Sequence, residues 1–160
     1  MSDWERRAHR AAGQAIGALL VGAPIDRVSL HDGAYIAWDK LPRFDSRSDD
    51  RILARIMVTL VGVGAQQRYS FGVPPGDAVW LMPRADQPTL MRDIEEVDAT
   101  SIDLSDLSGL EGVWCYACEI ITQEDVWEAI ELVAKELQDG SLDGRQIALL
   151  CRAGGQPEDI

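Results

Sequence analysis

The sequence predicts a mostly helical α+β domain with one small β-hairpin after its first helix. In several stretches apolar residues recur at intervals of three and four, which is the spacing of one helix face. Residues 25–30 and 34–38 are short strand-like runs on either side of the turn sequence His31-Asp32-Gly33. With 160 residues, 46% of them hydrophobic, the chain is long enough to bury the core of one domain.

The first helix is predicted over residues 3–21. Ser2 or Asp3 can cap its start, and Gly22 and Pro24 end it. Its apolar residues fall on one stripe, which therefore predicts the buried face: Trp4, Ala8, Ala11, Ala12, Ala15, Ile16, Leu19 and Leu20.

A second helix is predicted over residues 50–67, after a polar loop at 41–48. Its C-terminal half is rich in glycine and valine, which suits a closely packed, buried helix. The residues expected to face inward are Leu53, Ile56, Met57, Leu60, Val61 and Gly64. An irregular stretch at 74–83, a third helix at 88–97 and a loop at 99–112 follow.

Two helices are predicted near the C-terminus. The first starts at a capping-box pattern from Thr122 to Asp125, carries an apolar stripe at helical spacing and stops at Gly140. Asp143 and Gln146 cap a short final helix that reaches about residue 152. We expect a single domain over residues 1–153 and a flexible tail over 154–160.

Composition and charge exclude several classes of function. The net charge is −12, and all of the negative excess arises after residue 56, which disfavours nucleic acid and anionic membranes as partners. No apolar run reaches the roughly 20 residues of a membrane span. The acidic, polar N-terminus does not read as a signal peptide, so we expect a cytoplasmic protein.

The three cysteines are Cys115, Cys118 and Cys151. An odd count without a secretion signal argues against a disulfide framework. Cys115 and Cys118 form a lone CxxC inside the apolar run 113–121, which is predicted to be a partly buried strand or short apolar segment. Buried, reduced cysteine is the expected role, and half a zinc site or a redox pair is the alternative.

The run Arg10-Ala11-Ala12-Gly13-Gln14-Ala15 resembles the zinc-binding helix of FtsH-like metalloproteases, in which the motif reads His-Glu-Ala-Gly-His-Ala. In that motif two histidines one helical turn apart bind zinc, and the glutamate activates a water molecule. The small Ala12-Gly13 pair and Ala15 are kept in frame. Arg10, Ala11 and Gln14 take the places of the first histidine, the glutamate and the second histidine.

Further segments resemble the same family in the same order. They are the hairpin entry at 22–30, the Gly-containing helix at 51–67, the closing helix at 127–137 and the start of the last helix at 142–147. The resemblance implies an FtsH-type protease-like fold and a third zinc-ligand position, for which Asp86 is the best match and Asp93 a poorer one. The region 73–83 departs from the family pattern.

The resemblance implies a zinc-site position that lacks the two histidine ligands and the glutamate base. We therefore expect no catalytic residue, no metal and no cofactor. Arginine has no lone pair to donate, glutamine is a poor zinc ligand and alanine cannot deprotonate water. Arg10 is expected either to pair with Asp86 in place of zinc or to extend to the surface. Because the two lysines do not follow glycine in a P-loop pattern, there is no ATPase module in this chain.

Other candidate sites are weaker. Glu5 and His9 form a ligand-like pair at i, i+4, which is expected to be an exposed surface contact. His31 is expected to face solvent in the turn. Trp80 is a candidate anchor in a binding groove, although core packing is the more ordinary role of a tryptophan.

Three hypotheses for function remain. The first is a catalytically inactive relative of an FtsH-type protease domain that binds another protein or itself as a regulatory module. The second is a metal-dependent peptidase with non-standard ligands, either Glu5, His9 and Asp86, or the CxxC with His31. The third is a small-molecule or peptide sensor unrelated to proteases.

Overall fold

The computed structural model describes residues 3–36, 48–72 and 109–153, and the structural statements that follow concern these residues. Within them the chain forms five helices and one two-stranded antiparallel sheet. In chain order the elements are α1 (Asp3–Val21), β1 (Ile25–Ser29), β2 (Gly33–Ile36), α2 (Ser48–Phe71), α3 (Gly109–Thr122), α4 (Glu124–Leu137) and α5 (Gly144–Ala153). The predicted mostly helical α+β class with a hairpin after the first helix is confirmed.

Helix α1 occupies the predicted span, and its centre is buried. The alanines of the predicted stripe and Ile16 are at most 4% exposed, but the stripe is wrong at its ends. Trp4, Leu19 and Leu20 are exposed, and they lie near the two ends of α1. Gly22, with a φ of 76°, ends the helix as predicted, because this left-handed conformation favours glycine.

Helix α2 crosses α1 at a point made of small residues. A Cβ atom built on Gly13 would lie 2.7 Å from the Cβ of Ala65 and 2.9 Å from the Cα of Gly62. The two backbones therefore approach closely only because both helices carry glycine at the crossing. The predicted inward residues Ile56, Leu60, Val61 and Gly64 are buried, and Met57 is half-buried.

The hairpin packs beside α1. Val28 pairs with Ala34 and Ser29 with Gly33, and the register shifts between Ile25 and Arg27. Residue Val28 also exchanges two backbone hydrogen bonds with Leu142, at 2.7 and 2.9 Å, which ties the hairpin to the entry of α5. The described part of β2 ends at Ile36, so the rest of its predicted span lies outside the described residues.

The run 113–121 is helical, so its prediction as a strand or short apolar segment was wrong, as was the loop prediction for residues 109–112. Trp114, Ala117, Cys118 and Ile121 are all buried. Their spacing of three, four and seven residues is that of a helix face, and it outweighs the strand preference of a short apolar run. The rest of the predicted 99–112 loop, the predicted helix 88–97 and the stretches 41–47 and 74–83 lie outside the described residues.

The last two helices occur where the sequence predicted them, but only one begins at its predicted cap. Thr122 is the last residue of α3 rather than the cap of α4, and its hydroxyl donates to the carbonyl oxygen of Glu119 at 2.8 Å. Gln123 is the N-cap residue and makes no side-chain capping bond. At α5, Asp143 and Gln146 each accept a bond from the other's backbone N–H at 2.8 Å, which confirms that cap.

One main core joins α1, α2, α3, α4 and the hairpin, and it includes Ile56, Leu60, Ile121 and Ile130 as fully buried side chains. Among the helices described, none combines the length and the apolar character that a bilayer crossing requires.

Candidate functional site

Arg10, Ala11 and Gln14 line one cavity of about 220 Å³ on the hairpin side of α1, together with His31 and Asp32 of the turn. We call this the α1 cavity; its other lining residues are Arg7, Leu30 and Gly33. The structure thus brings together three of the four positions that the resemblance singled out. The fourth, Asp86, lies outside the described residues, as do Asp93 and Trp80.

Gln14 connects α1 to the hairpin. Its side-chain oxygen accepts a hydrogen bond from the backbone N–H of Ala34 at 2.9 Å. The contact is close on two sides, because a Cβ atom built on Gly33 would lie 2.5 Å from that oxygen and one on Gly62 would lie 2.7 Å from the Cγ of Gln14. Glycine at both positions therefore leaves room for the Gln14 side chain between the turn and α2.

Arg10 is half-buried and contacts α2. Its guanidinium donates to the side-chain oxygen of Gln66 at 3.3 Å. This polar contact joins Arg10 to the neighbouring helix, while both side chains stay partly accessible to solvent. Pairing with Asp86 stays a prediction, since that carboxylate is not described.

Ala11 is 2% exposed and belongs to the main core cluster. At the position where the resemblance places a glutamate, the chain therefore presents a methyl group to the helix packing. The α1 cavity has no carboxylate from this position that could accept a proton from water.

The chemistry of these side chains does not fit zinc. Zinc binds thiolate, imidazole and carboxylate groups, whereas the α1 cavity offers a guanidinium and an amide at the two histidine positions. In the part of the chain that is described, no group of three or more His, Cys, Asp or Glu side chains is arranged to hold a metal ion.

The Glu5 and His9 pair is not an exposed surface contact, so that prediction was wrong. His9 is 8% exposed, and its ring lies 4.0 Å from that of Tyr69 and 5.6 Å from that of Trp127, in stacked orientation. Its Nδ1 lies 2.8 Å from the carbonyl oxygen of Glu5, and the Glu5 carboxylate accepts a 2.7 Å bond from the Tyr69 hydroxyl. Helices α2 and α4 cover this face of α1 and bury the imidazole.

Arg68 extends this cluster on the α2 side. Its guanidinium lies 4.5 Å from the centre of the Trp127 ring and donates to the carbonyl oxygen of Ile121 at 2.7 Å. It also contacts the exposed Glu124 carboxylate at 3.1 Å. We call Glu5, His9, Tyr69 and Trp127 the His9 cluster; the spacing of Glu5 and His9 pointed to one helix face but could not show that two other helices cover it.

The cysteines lie in three different environments. Cys118 is buried and Cys151 half-buried, and burial raises the pKa of the Cys151 thiol. Cys115 is exposed, so the expectation of buried cysteine was wrong for this residue. The CxxC lies on α3, where the first thiol faces solvent and the second faces the core, whereas His31 is an exposed residue of the hairpin turn, as predicted.

A second, larger cavity of about 430 Å³ lies between α1, α2, α3 and the start of α4. We call it the apolar groove; its wall includes Leu20, Val21, Met57, Tyr116, Ile120 and Val126. Leu20 is 52% exposed and Tyr116 is 55% exposed. Sequence reasoning missed this feature because it placed Leu20 on the buried stripe and residues 113–121 in a strand.

No protein-family model matches this sequence, and a comparison with curated proteins finds no match either.

Proposed function

We propose that this chain is a non-catalytic, FtsH-type protease-like domain that binds another protein. The observation that carries the proposal is the environment of Gln14. At the position of the second zinc histidine in the resemblance, the side chain accepts a hydrogen bond from Ala34 and so joins the hairpin to α1. A residue with this structural role has no equivalent in a working zinc site, where that side chain must face the metal.

The other two positions support the same conclusion. Arg10 donates to Gln66 of α2, and Ala11 packs in the core. Together the three side chains stabilise the packing of α1 against the hairpin and α2. In a zinc-binding domain, the metal ion would contribute part of this stabilisation. In this proposal the role of α1 is structural rather than catalytic.

The apolar groove supports a binding role. It combines a concave apolar wall with two large exposed side chains, Leu20 and Tyr116, at its edge. Tyrosine is among the residues that most often anchor protein interfaces, and concave apolar surfaces are typical binding sites. A second copy of this chain is one occupant that the groove could take, and a different protein is the other.

The test compares pairs of variants with equal exposure inside and outside the groove. Leu20→Glu and Tyr116→Glu change the groove, whereas Leu149→Glu and Tyr35→Glu change leucine and tyrosine side chains that are 53% and 48% exposed elsewhere. All four are compared with the wild type in size-exclusion chromatography and in capture of binding proteins from the native host. Peptide hydrolysis and metal content are measured on the same preparations.

We expect the wild type and the two variants outside the groove to bind the same partner with similar affinity. The two groove variants should bind that partner at least tenfold more weakly. Peptide hydrolysis should be absent from all five proteins. Loss of binding in all four variants alike would contradict the groove as the binding surface. Stoichiometric zinc together with peptide turnover by the wild type would contradict the proposed function and favour a peptidase with non-standard ligands.

A further inference from the structure

The His9 cluster contains the buried ionisable group that the proposed function does not use. Among the polar or charged residues whose side chains are described, His9 alone is buried. It belongs to α1, whereas Tyr69 belongs to α2 and Trp127 to α4, so one imidazole contacts the aromatic rings of two other helices. A change in the charge of His9 would therefore affect the packing contacts between three helices.

The hydrogen bond of His9 fixes where its proton lies. Nδ1 is 2.8 Å from the carbonyl oxygen of Glu5. Because a carbonyl oxygen can only accept, Nδ1 carries the hydrogen, and in the neutral ring Nε2 carries none. A second proton would add to Nε2 and charge a ring that is stacked against Tyr69 and Trp127.

Charged groups face His9 from all three helices. On α1 the Glu5 carboxylate is bonded to the Tyr69 hydroxyl of α2. Glu131 and Lys135 of α4 line a cavity of about 230 Å³ that His9 also lines. Arg68 of α2 lies 4.5 Å from the centre of the Trp127 ring and brings a positive charge to the edge of the cluster.

Burial and the neighbouring charges shift the pKa of His9 in opposite directions. Burial lowers the pKa of His9 below its ordinary value of 6.5, and this effect is larger than the opposing effects of the Glu5 carbonyl and of the Glu131 and Glu5 charges. Charging the ring costs solvation that the two carboxylates do not fully replace.

We propose that the His9 cluster is a pH-sensitive joint, in which protonation of His9 on Nε2 loosens the packing of α1 against α2 and α4. Above the ordinary histidine range the ring is neutral in both the folded and the unfolded chain, and the joint is intact. As pH falls below 6.5 the unfolded chain takes up the proton first, so stability is lost until pH passes the lower, folded-state value. The device does not depend on the proposed function.

The chain offers a matched control, because its only other histidine is the exposed His31. The wild type, His9→Phe and His31→Gln are unfolded with urea at several pH values from 8 to 5. Phenylalanine keeps an aromatic ring in the cluster and removes the titration. We expect the midpoints of the wild type and His31→Gln to fall together below pH 6.5, and the midpoint of His9→Phe to fall less over that range.

An NMR titration of the histidine ring protons keeps the test decisive if His9→Phe does not fold. Spectra of the wild type and His31→Gln assign the two rings, and the expected midpoint for His9 lies below 6.5. Glu131→Gln should move it lower still, because it removes a charge that favours the protonated ring. A His9 midpoint at or above 6.5, an unchanged midpoint in Glu131→Gln, or equal pH dependence of the wild type and His9→Phe would overturn the proposal.

Discussion

At the crossing of α1 and α2 the two backbones lie close together, and Gly13→Ala tests this contact with one methyl group. The added carbon would lie 2.7 Å from the Cβ of Ala65 and 2.9 Å from both the Cα of Gly62 and the carbonyl oxygen of Val61. Two of these neighbours are backbone atoms, and the third is a side chain with no rotamer to change. The helices would have to move apart.

The size of the effect follows from two opposing contributions. Overpacking a core contact costs about 1–3 kcal/mol. Alanine is favoured over glycine inside a helix by about 0.8–1 kcal/mol, which offsets part of that cost. Since two of the three contacts at Gly13 are with backbone atoms, we expect the upper part of the overpacking range, a net loss of about 1–2 kcal/mol. For a chain of this size that lowers Tm by roughly 2–8 °C.

Gly64→Ala in α2 is the matched control. Its added carbon would meet only the Ile121 side chain, at 3.2 Å from Cγ1. That side chain can shift, so the helix preference for alanine should leave stability unchanged or slightly higher. Both variants are compared with the wild type by urea unfolding. Equal stability of Gly13→Ala and Gly64→Ala would refute the close backbone approach.

Three further predictions concern single side chains. Gln14→Leu removes the acceptor of the Ala34 N–H and should lower the free energy of unfolding in urea by about 1–3 kcal/mol. Gln14→Glu keeps an acceptor oxygen and should lower it less. Equal losses in the two variants would contradict the role of this bond. Asp143→Ala removes the cap of α5 and should lower the free energy of unfolding by about 0.5–2 kcal/mol in the same assay. Asp139→Ala removes no cap and should change stability little. Equal stability of the two variants would contradict the capping role of Asp143. In native protein Cys115 should react with a thiol reagent well before the other two cysteines, as peptide mass analysis would show, and all three should react in urea; earlier reaction of another cysteine would contradict the orientation of α3.

The elements with regular spacing and a local signal were predictable from the sequence. Helix α1, the hairpin turn at Gly33 and the Asp143 cap each depend on residues close together in the chain. The run 113–121 carried a helical spacing too, but its short apolar composition suggested a strand. Thr122 failed as a cap because the preceding helix extends to it, which only the structure shows.

The site was predictable to a smaller extent. The resemblance to the zinc-protease motif singled out Arg10, Ala11 and Gln14, and the structure groups them in the α1 cavity. The partners Gln66 and Ala34 are far away in sequence, so the hydrogen bonds that define the roles of Arg10 and Gln14 could not be predicted. The burial of His9 likewise depends on Tyr69 and Trp127, which are brought to it by the tertiary fold.

The proposed function depends on whether Arg10, Ala11 and Gln14 stand at the zinc positions of the motif that they resemble. Substituting Arg10→His, Ala11→Glu and Gln14→His together would restore the motif, with Asp86 as the third predicted donor and the fourth position left for water. Zinc titration of the wild type, this triple variant and the triple variant with Asp86→Ala added tests the claim most directly. We predict that only the triple variant binds one zinc ion tightly and that Asp86→Ala weakens it at least tenfold. Negligible binding by all three proteins, or stoichiometric zinc on the wild type, would contradict it.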